Sequence, residues 1–155
     1  MGIKRYTANA DTTITNAYKA DLRTRGTGSN MGLADSLEVF HIYGQESSSS
    51  AENSRVLINF PVTTTITTDR SAGTIPASGS VSWFLRVHNV VHPNTLPKNY
   101  NMTISAISRS WDEGTGLDME GYTDSGSCNW TAAASSSGGV TAWTAAGGDY
   151  HASTT

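Results

Sequence analysis

The stretch from Asp112 to Asp124 holds the residue types most suited to binding a metal ion. It contains the carboxylates of Asp112, Glu113, Asp118, Glu120 and Asp124. Calcium takes six to eight oxygen ligands, and carboxylates this close in sequence could supply several. The spacing matches no EF-hand loop. Two hypotheses follow: calcium bound by Asp112, Glu113 and Asp118, or a solvated acidic turn in which Asp112 or Glu113 accepts hydrogen bonds from backbone amides.

Tryptophan side chains offer a second kind of chemistry, the stacking of sugar rings. Trp130 and Trp143 stand among small and polar residues, so they are the candidates for an exposed glycan platform, the alternative being burial in the core. Trp83 and Trp111 lie in or just after predicted strands, and the large area of a tryptophan favours the core for both.

Catalytic constellations are not apparent in the sequence. The chain has no Gly-x-Ser-x-Gly motif, and its one cysteine, Cys128, has no obvious activating neighbour. Asp112 and Glu113 are adjacent, so in extended backbone they point to opposite sides and suit paired acid–base work poorly. We therefore predict a non-enzymatic protein without a cofactor.

The amino-acid composition argues against some classes of binding partner. Charged residues make up 15% of the chain, the net charge is -3, and Ser and Thr fill about a quarter of the positions. Lysine and arginine form no block, which argues against nucleic acid. No apolar run approaches the ~18 residues of a membrane helix, so we expect no membrane partner. The polar start after Met1 predicts no signal peptide and synthesis in a cytoplasm.

The periodicity predicts strands between turn-rich loops. The clearest strand is Val81–Val91, with Trp83 on one face and Phe84 on the other. In Arg55–Phe60 the alternation places Val56, Ile58 and Phe60 toward the core. Further expected elements are strands within Ile3–Ile14 and at Ser36–Tyr43, Thr63–Thr68, Tyr100–Ser108 and Val140–Trp143, a short helix near Leu117–Tyr122, and serine loops at Ser47–Ser50 and Ser135–Ser137. This pattern predicts an all-β fold, a β-sandwich or jelly roll.

Several short motifs occur along the chain in an order that resembles a known domain family. They are Ala10-Asp11-Thr12, Asn30-Met31-Gly32 before Leu37-Glu38-Val39, the strand Ser54–Phe60, the strand Val81–Val87, Trp111-Asp112-Glu113-Gly114, Asn129-Trp130, Trp143 and Gly147-Gly148-Asp149-Tyr150. In this order they resemble the disaggregatase-related (DNRLRE-type) domain. The resemblance implies an antiparallel jelly-roll β-sandwich with long loops, as found in secreted polysaccharide-associated proteins and in phage structural proteins.

The opening of the chain is similar to virion structural proteins of marine tailed phages. The similarity lies in residues 2–32, in Leu37–Gln45 and in Ser54–Val62. It implies a capsid decoration, neck, tail or fibre component, assembled in the host cytoplasm and located in the virion. Its partners would be other virion proteins, in a homo-oligomer or a capsid or tail lattice. The alternative is a carbohydrate-binding or host-adhesion module that recognises a host surface glycan.

One departure from the family concerns the end of the chain. Family members continue beyond the Gly-Gly-Asp-Tyr region with closing strands, whereas this sequence stops at Thr155. A sandwich without a core strand exposes apolar faces and unpaired edges. We therefore expect residues 1–155 to be a single β-sandwich domain and the N-terminal part of a longer protein, the alternative being a strand donated by a neighbouring subunit.

Overall fold

The computed structural model describes residues 2–93, 95, 98–117, 121–122, 126–136 and 138–151. Their strands are β1 (Ala10–Thr15), β2 (His41–Tyr43), β3 (Ala51–Asn59), β4 (Ala132–Ser136) and β5 (Gly139–Ala142). One helical segment begins as a π turn at Val62–Ile66 and continues as α1 (Thr67–Ser71). The strands form two small antiparallel sheets, so the predicted all-β class is confirmed.

The first sheet has the order β1-β3-β2, and the second pairs β4 with β5. In the first, Ile42 of β2 lies opposite Glu52 of β3. In the second, Ala132 lies opposite Ala142, and the register shifts between Ala132 and Ala134. Such a shift is typical of a β-bulge, which bends the strand and re-aims its side chains.

The chain divides into two compact units. The larger unit comprises Ala10–Ile58 and Asn101–Thr155, and the smaller unit comprises Met1–Asn9 and Asn59–Tyr100. That residues 1–155 form one sandwich lacking its closing strands stays a prediction.

The hydrophobic core belongs to the larger unit and draws on both sheets. Ile14 of β1, Leu57 of β3 and Ala133 of β4 pack with Cys128, Trp130 and Trp143, and Ile107 and Trp111 pack partly buried against them. The sequence placed Val56, Ile58 and Phe60 toward the core instead. This was wrong: those three are half-buried and Leu57 is buried, because β3 is covered on both faces and strict alternation loses its meaning there.

Strand β1 is buried although three of its residues are threonines. Their hydroxyls are used: Thr13 Oγ1 accepts from the Glu38 amide at 3.0 Å, and Thr15 Oγ1 donates to the Asn53 carbonyl at 2.9 Å. Thr12 Oγ1 accepts from the Met31 amide at 3.2 Å. A buried polar group costs little when it is hydrogen-bonded. These bonds connect β1 to the loop after Asn30, to Glu38 and to β3.

The expected edge strand at Thr63–Thr68 is wrong, because this segment is helical. Hydroxyl groups of Thr67, Thr68 and Ser71 donate to backbone carbonyls one turn earlier. The helical segment begins directly after Pro61. Its local hydrogen bonds outweigh the preference of threonine for β-strands.

The two longest predicted strands are also wrong in extent. Residues 81–91 form no strand, and Trp83, expected in the core, is 54% exposed. Of Tyr100–Ser108, residues 106–108 pair with residues 149–151. An extended segment becomes a strand only where a second segment completes its hydrogen bonds. No other described segment does so for residues 81–91.

The remaining predictions have mixed outcomes. Strand β1 confirms a strand within Ile3–Ile14, β5 confirms the one near Val140–Trp143, and Ser36–Tyr43 shortens to β2. Ser135 and Ser136 lie in β4 rather than in a loop. The expected helix near Leu117–Tyr122 falls mostly outside the described residues. In the part of the chain that is described, no helix is long and apolar enough to cross a bilayer.

Candidate functional site

Asn30 joins three distant segments of the larger unit through one buried amide. Its side chain, in a residue only 1% exposed, donates from Nδ2 to the carbonyls of Glu113 at 2.8 Å and Cys128 at 2.7 Å. Its Oδ1 accepts from the amides of Gly32 at 3.0 Å and Gly116 at 2.9 Å. We call these five residues the Asn30 clamp. Asparagine suits this position because it offers two donors and a two-lone-pair acceptor on one short side chain.

Glycine is required where the clamp brings backbones together. A Cβ on Gly32 would lie 2.2 Å from the Glu113 carbonyl oxygen, and one on Gly116 would lie 2.0 Å from that of Asn30. Gly114 has φ +79°, and a Cβ there would lie 2.5 Å from Asn30 Oδ1. The motifs Asn30-Met31-Gly32 and Trp111-Asp112-Glu113-Gly114 are thus in direct contact, which accounts structurally for their residue types.

Glu113 acts as a backbone cap. Its Oε1 accepts from the Asp11 amide at 2.7 Å, a donor in β1 rather than in the acidic turn itself. Burial, and then the nearby Glu113 carboxylate, raise the pKa of Asp11. Among the described residues no three His, Cys, Asp or Glu side chains are grouped to hold a metal ion, and the third calcium candidate, Asp118, lies outside those residues. The calcium hypothesis for Asp112, Glu113 and Asp118 therefore stays a prediction.

Trp130 and Trp143 do not form the expected sugar platform. They are 8% and 6% exposed and belong to the core, and Trp143 Nε1 donates to the Asn129 carbonyl at 2.8 Å. A stacking platform needs an exposed ring face, so that prediction was wrong. Trp111, half-buried against this core, lies close to where it was expected.

Arg55 connects the last glycine-rich motif to the core. Its guanidinium lies 5.1 Å from the centre of the Trp130 ring and 5.2 Å from that of Tyr150, and it donates to the Gly147 carbonyl at 2.7 Å. Cations over aromatic faces are attracted by the ring quadrupole. This arrangement holds the Gly147–Tyr150 segment in place and leaves Arg55 little freedom for catalysis.

Cys128 is equally unsuited to chemistry. It is fully buried, and burial, followed by the charge of Asp112, raises the pKa of its thiol to about 12. A thiol that stays protonated at neutral pH is a poor nucleophile.

A polar cavity of about 370 Å³ lies in the larger unit. It is formed by the loop after β1, by the turn around Asn129 and by the β4-β5 hairpin; its lining residues include Lys19, Thr24, Arg25, Thr27, Asn129, Thr131, Ser135 and Val140. We call it the cation cavity. Sequence analysis missed it, because its residues are more than 100 positions apart and only scattered charge marked the loop.

Arg25 is held firmly at the wall of this cavity. Its Nη1 donates to the carbonyls of Asn16 at 2.7 Å and Ala51 at 3.1 Å, and its guanidinium stacks on Tyr18 at 4.0 Å. Next to it, Asp21 accepts from the amides of Thr24 and Arg23, each at 2.9 Å. These bonds, the Thr24 amide first, lower the pKa of Asp21 to about 2.

The smaller unit carries a different feature, a run of exposed apolar side chains. Residues 81–91, here called the apolar segment, present Phe84 at 89% and Val91 at 99% exposure. Trp83, Leu85, Val87 and Val90 are also exposed. Isolated apolar residues are normal on a protein surface, but several large ones within one short segment often mark a contact with another molecule.

Comparison with models of known protein families, with curated proteins and with solved structures gave no match in any of the three. A functional proposal for this chain therefore depends on its own motifs and on the geometry described above.

Proposed function

We propose that this chain is a non-enzymatic structural protein of a bacteriophage virion, built on a jelly-roll β-sandwich and working through contacts between subunits. The sequence resemblance to marine tailed-phage proteins supports the class. The observation that carries the proposal is the apolar segment, because a protein whose role is to bind neighbouring subunits needs such a surface.

The apolar segment fits an interface by composition and by backbone. Aromatic side chains such as Trp83 and Phe84 are enriched in the centre of protein interfaces. Within the described residues, the backbone of this segment pairs with no strand, so its amides and carbonyls are available for a ladder with a neighbouring subunit. The expected partners are copies of this chain or other virion proteins.

The low charge of the chain agrees with this role. With 15% charged residues, the chain has few charges to desolvate when its surface is buried against a neighbour, and its Ser and Thr hydroxyls can form hydrogen bonds across such a contact. The burial of the Cys128 thiol and the hydrogen bond from the Asp11 amide to Glu113 Oε1 agree with a non-enzymatic role.

Quantitative mass spectrometry of purified particles tests the proposal directly. We expect this chain in the virion at a fixed ratio to the major capsid protein. A ratio near one would indicate shell decoration, and a small count in multiples of six or twelve would indicate a neck, tail or fibre component. Absence from the particle would overturn the proposal.

A pair of variants tests the apolar segment itself. Val91→Ser removes a fully exposed valine from the segment, and Val62→Ser removes an exposed valine of the same unit outside it. We expect the double variant Val91→Ser with Phe84→Ser to lower incorporation into particles by about tenfold or more. Removing large apolar side chains from the centre of an interface commonly has an effect of at least this size. Val62→Ser should be incorporated normally. Equal incorporation of all variants would contradict the role of the segment.

The alternative function is a carbohydrate-binding or host-adhesion module. It depended on an exposed platform of Trp130 and Trp143, and both side chains are buried.

A further inference from the structure

The apolar segment, residues 81–91, carries charge of one sign. Its ionisable side chains are Arg86 and His88, both exposed, and Arg86 forms no ion pair among the described residues. Antiparallel pairing of two copies of the segment about its centre would place Arg86 opposite Arg86, and like charges directly opposite each other are destabilising. The segment therefore favours a partner strand that supplies a carboxylate.

Strand β2 has an open edge to which a strand can be added. It is the outermost strand of the order β1-β3-β2, and no described strand pairs with its outer side. The Phe40 carbonyl accepts from the amide of Ser54 in β3 at 3.1 Å. Because the backbone groups of an antiparallel strand alternate in direction, those of His41 and Tyr43 point away from β3. These outward amides and carbonyls can pair with a strand from another molecule.

Residues 37–43, here called the β2 edge, combine exposed apolar side chains with one acid. Four of the apolar side chains are between 36% and 67% exposed, namely Leu37, Val39, Ile42 and Tyr43. Glu38 is exposed as well, and it forms no ion pair among the described residues. The β2 edge therefore offers both the apolar surface and the negative charge that complement the apolar segment.

We propose that the apolar segment of one copy of this chain adds as an antiparallel strand to the β2 edge of a second copy. One register matches both charge and apolar side chains. With Arg86 opposite Glu38, residues 81–87 face residues 43–37 of the second copy. Apolar side chains then meet at further positions, which include Phe84 with Phe40, Leu85 with Val39 and Val87 with Leu37.

The same register also satisfies the backbone. The outward amides and carbonyls of His41 and Tyr43 meet those of Trp83 and Val81, and the segment has no other described strand as a partner. Each added backbone bond removes an unpaired group from the edge of the sheet.

This contact joins two different surfaces, and every copy carries both of them. Such a heterologous contact connects copies head to tail, into a ring if the rotation closes and into a filament if it does not. The inference rests on the proposed structural role and names the neighbouring subunit at the apolar segment as another copy of this chain.

Reversal of the two charges tests the contact, with sedimentation velocity of the purified chain over a range of concentrations. We expect Arg86→Glu alone and Glu38→Arg alone to weaken self-association by about fivefold, because each places like charges opposite each other. A mixture of the two variants, or both substitutions in one chain, should restore it. Arg5→Glu makes the same charge change at an exposed residue of the smaller unit and should have no effect.

Three outcomes of this experiment would overturn the proposal. They are an unmodified chain that stays monomeric, single variants that associate as the unmodified chain does, and a mixture without recovery. An equal loss in the Arg5→Glu control would overturn it too, since the effect would then follow net charge rather than this contact.

Disulfide cross-linking tests the register. Because the outward backbone groups belong to His41 and Tyr43, Ser82 and Ile42 form a non-hydrogen-bonded pair, in which side chains lie closest. A mixture of Ser82→Cys and Ile42→Cys copies should therefore form a disulfide that joins two chains on oxidation, detected by intact mass. Tyr43→Cys is the matched control, since its side chain points to the opposite face. Cys128 is fully buried and does not compete.

Two cross-linking results would contradict pairing between copies. One is an equal yield with Tyr43→Cys. The other is a disulfide that forms only within a single chain carrying both Ser82→Cys and Ile42→Cys. The copy number of the chain in virions is a separate measurement, so a chain that is present in particles but fails these tests keeps its structural role and has a different neighbour.

Discussion

At the scale of single residues, the Asn30 clamp shows how one buried side chain can hold several backbone segments together. Four backbone groups depend on one side chain that is almost fully buried. No other residue type of that size replaces both its donors and its acceptor: aspartate lacks the donors, and leucine lacks all polar atoms. The position is therefore constrained by hydrogen bonding rather than by volume.

Replacing Asn30 tests the clamp. Asn30→Ala leaves two carbonyls and two amides, all buried or partly buried, without their partner, and we expect it to lower the free energy of unfolding by about 3 kcal/mol or more. Asn101→Ala, at an exposed position of the larger unit, should change it by less than about 0.5 kcal/mol. Urea denaturation followed by tryptophan fluorescence measures both. Similar midpoints for the two variants would show that the clamp does not stabilise the fold.

Gly114 and Gly44 separate backbone strain from steric overlap. Both have positive φ, +79° and +75°, so alanine costs roughly 1–2 kcal/mol at either position. At Gly114 the new Cβ would also lie 2.4 Å from Ser127 Cβ, whereas at Gly44 the nearest atom is 3.8 Å away. We expect Gly114→Ala to be the more destabilising by at least about 2 kcal/mol, measured by urea denaturation. Equal losses of stability at the two positions would mean that the residues around Gly114 can move to accommodate the new Cβ without a further loss.

At the scale of elements, Asp149 organises the loop that follows β5. Its carboxylate accepts from the amides of Thr144 at 2.8 Å and Ala145 at 3.0 Å, and it pairs with Arg109 Nε at 3.2 Å. The Thr144 amide is the leading cause that lowers the pKa of Asp149. The charged form is favoured in the folded state, so this loop is stabilised at neutral pH.

The stability of this loop should depend on pH in a defined direction. For an acid whose folded pKa is lowered, the contribution is present above its ordinary pKa of about 3.9 and is lost as the pH falls through the folded value. NMR titration of the side-chain carboxyl should place the Asp149 midpoint below 3.9. Between about pH 4 and pH 2, the free energy of unfolding should fall less in Asp149→Asn than in the unmodified chain. An unchanged slope, or a midpoint at or above the ordinary value, would contradict this assignment.

At the scale of the whole molecule, burial is unevenly distributed between the two units. The hydrophobic core lies in the larger unit, whereas the smaller unit buries Ile66 and Ile75 and exposes the apolar segment. Local stability follows buried apolar contacts and protected hydrogen bonds. The smaller unit should therefore gain much of its order from contacts with other molecules.

Hydrogen exchange measured by mass spectrometry tests this difference. In the isolated chain, amides of residues 81–91 should exchange within seconds, and those of β1 and β3 should be protected by orders of magnitude more. In assembled particles, residues 81–91 should become protected while β1 and β3 change little. Strong protection of residues 81–91 in the isolated chain would mean that a partner segment exists within the chain itself.

Local patterns in the sequence predicted the all-β class and the positions of β1, β3 and β5. These follow from alternation, turn residues and side-chain chemistry over a few neighbouring positions, which act before distant segments meet. The same reasoning failed for residues 81–91 and for Thr63–Thr68, because a strand needs a partner that local pattern does not supply.

Only the tertiary structure decided which side chains are buried and which distant residues meet. Trp130 and Trp143 stand in small, polar surroundings in the sequence, yet they pack with Ile14 and Leu57, because sheet pairing brings β1, β3 and β4 around them. The cation cavity arises in the same way, from a loop near Arg25 and a hairpin near Val140. Residue types thus set what each position can do, and long-range backbone pairing, which carries no local signature, set where each one does it.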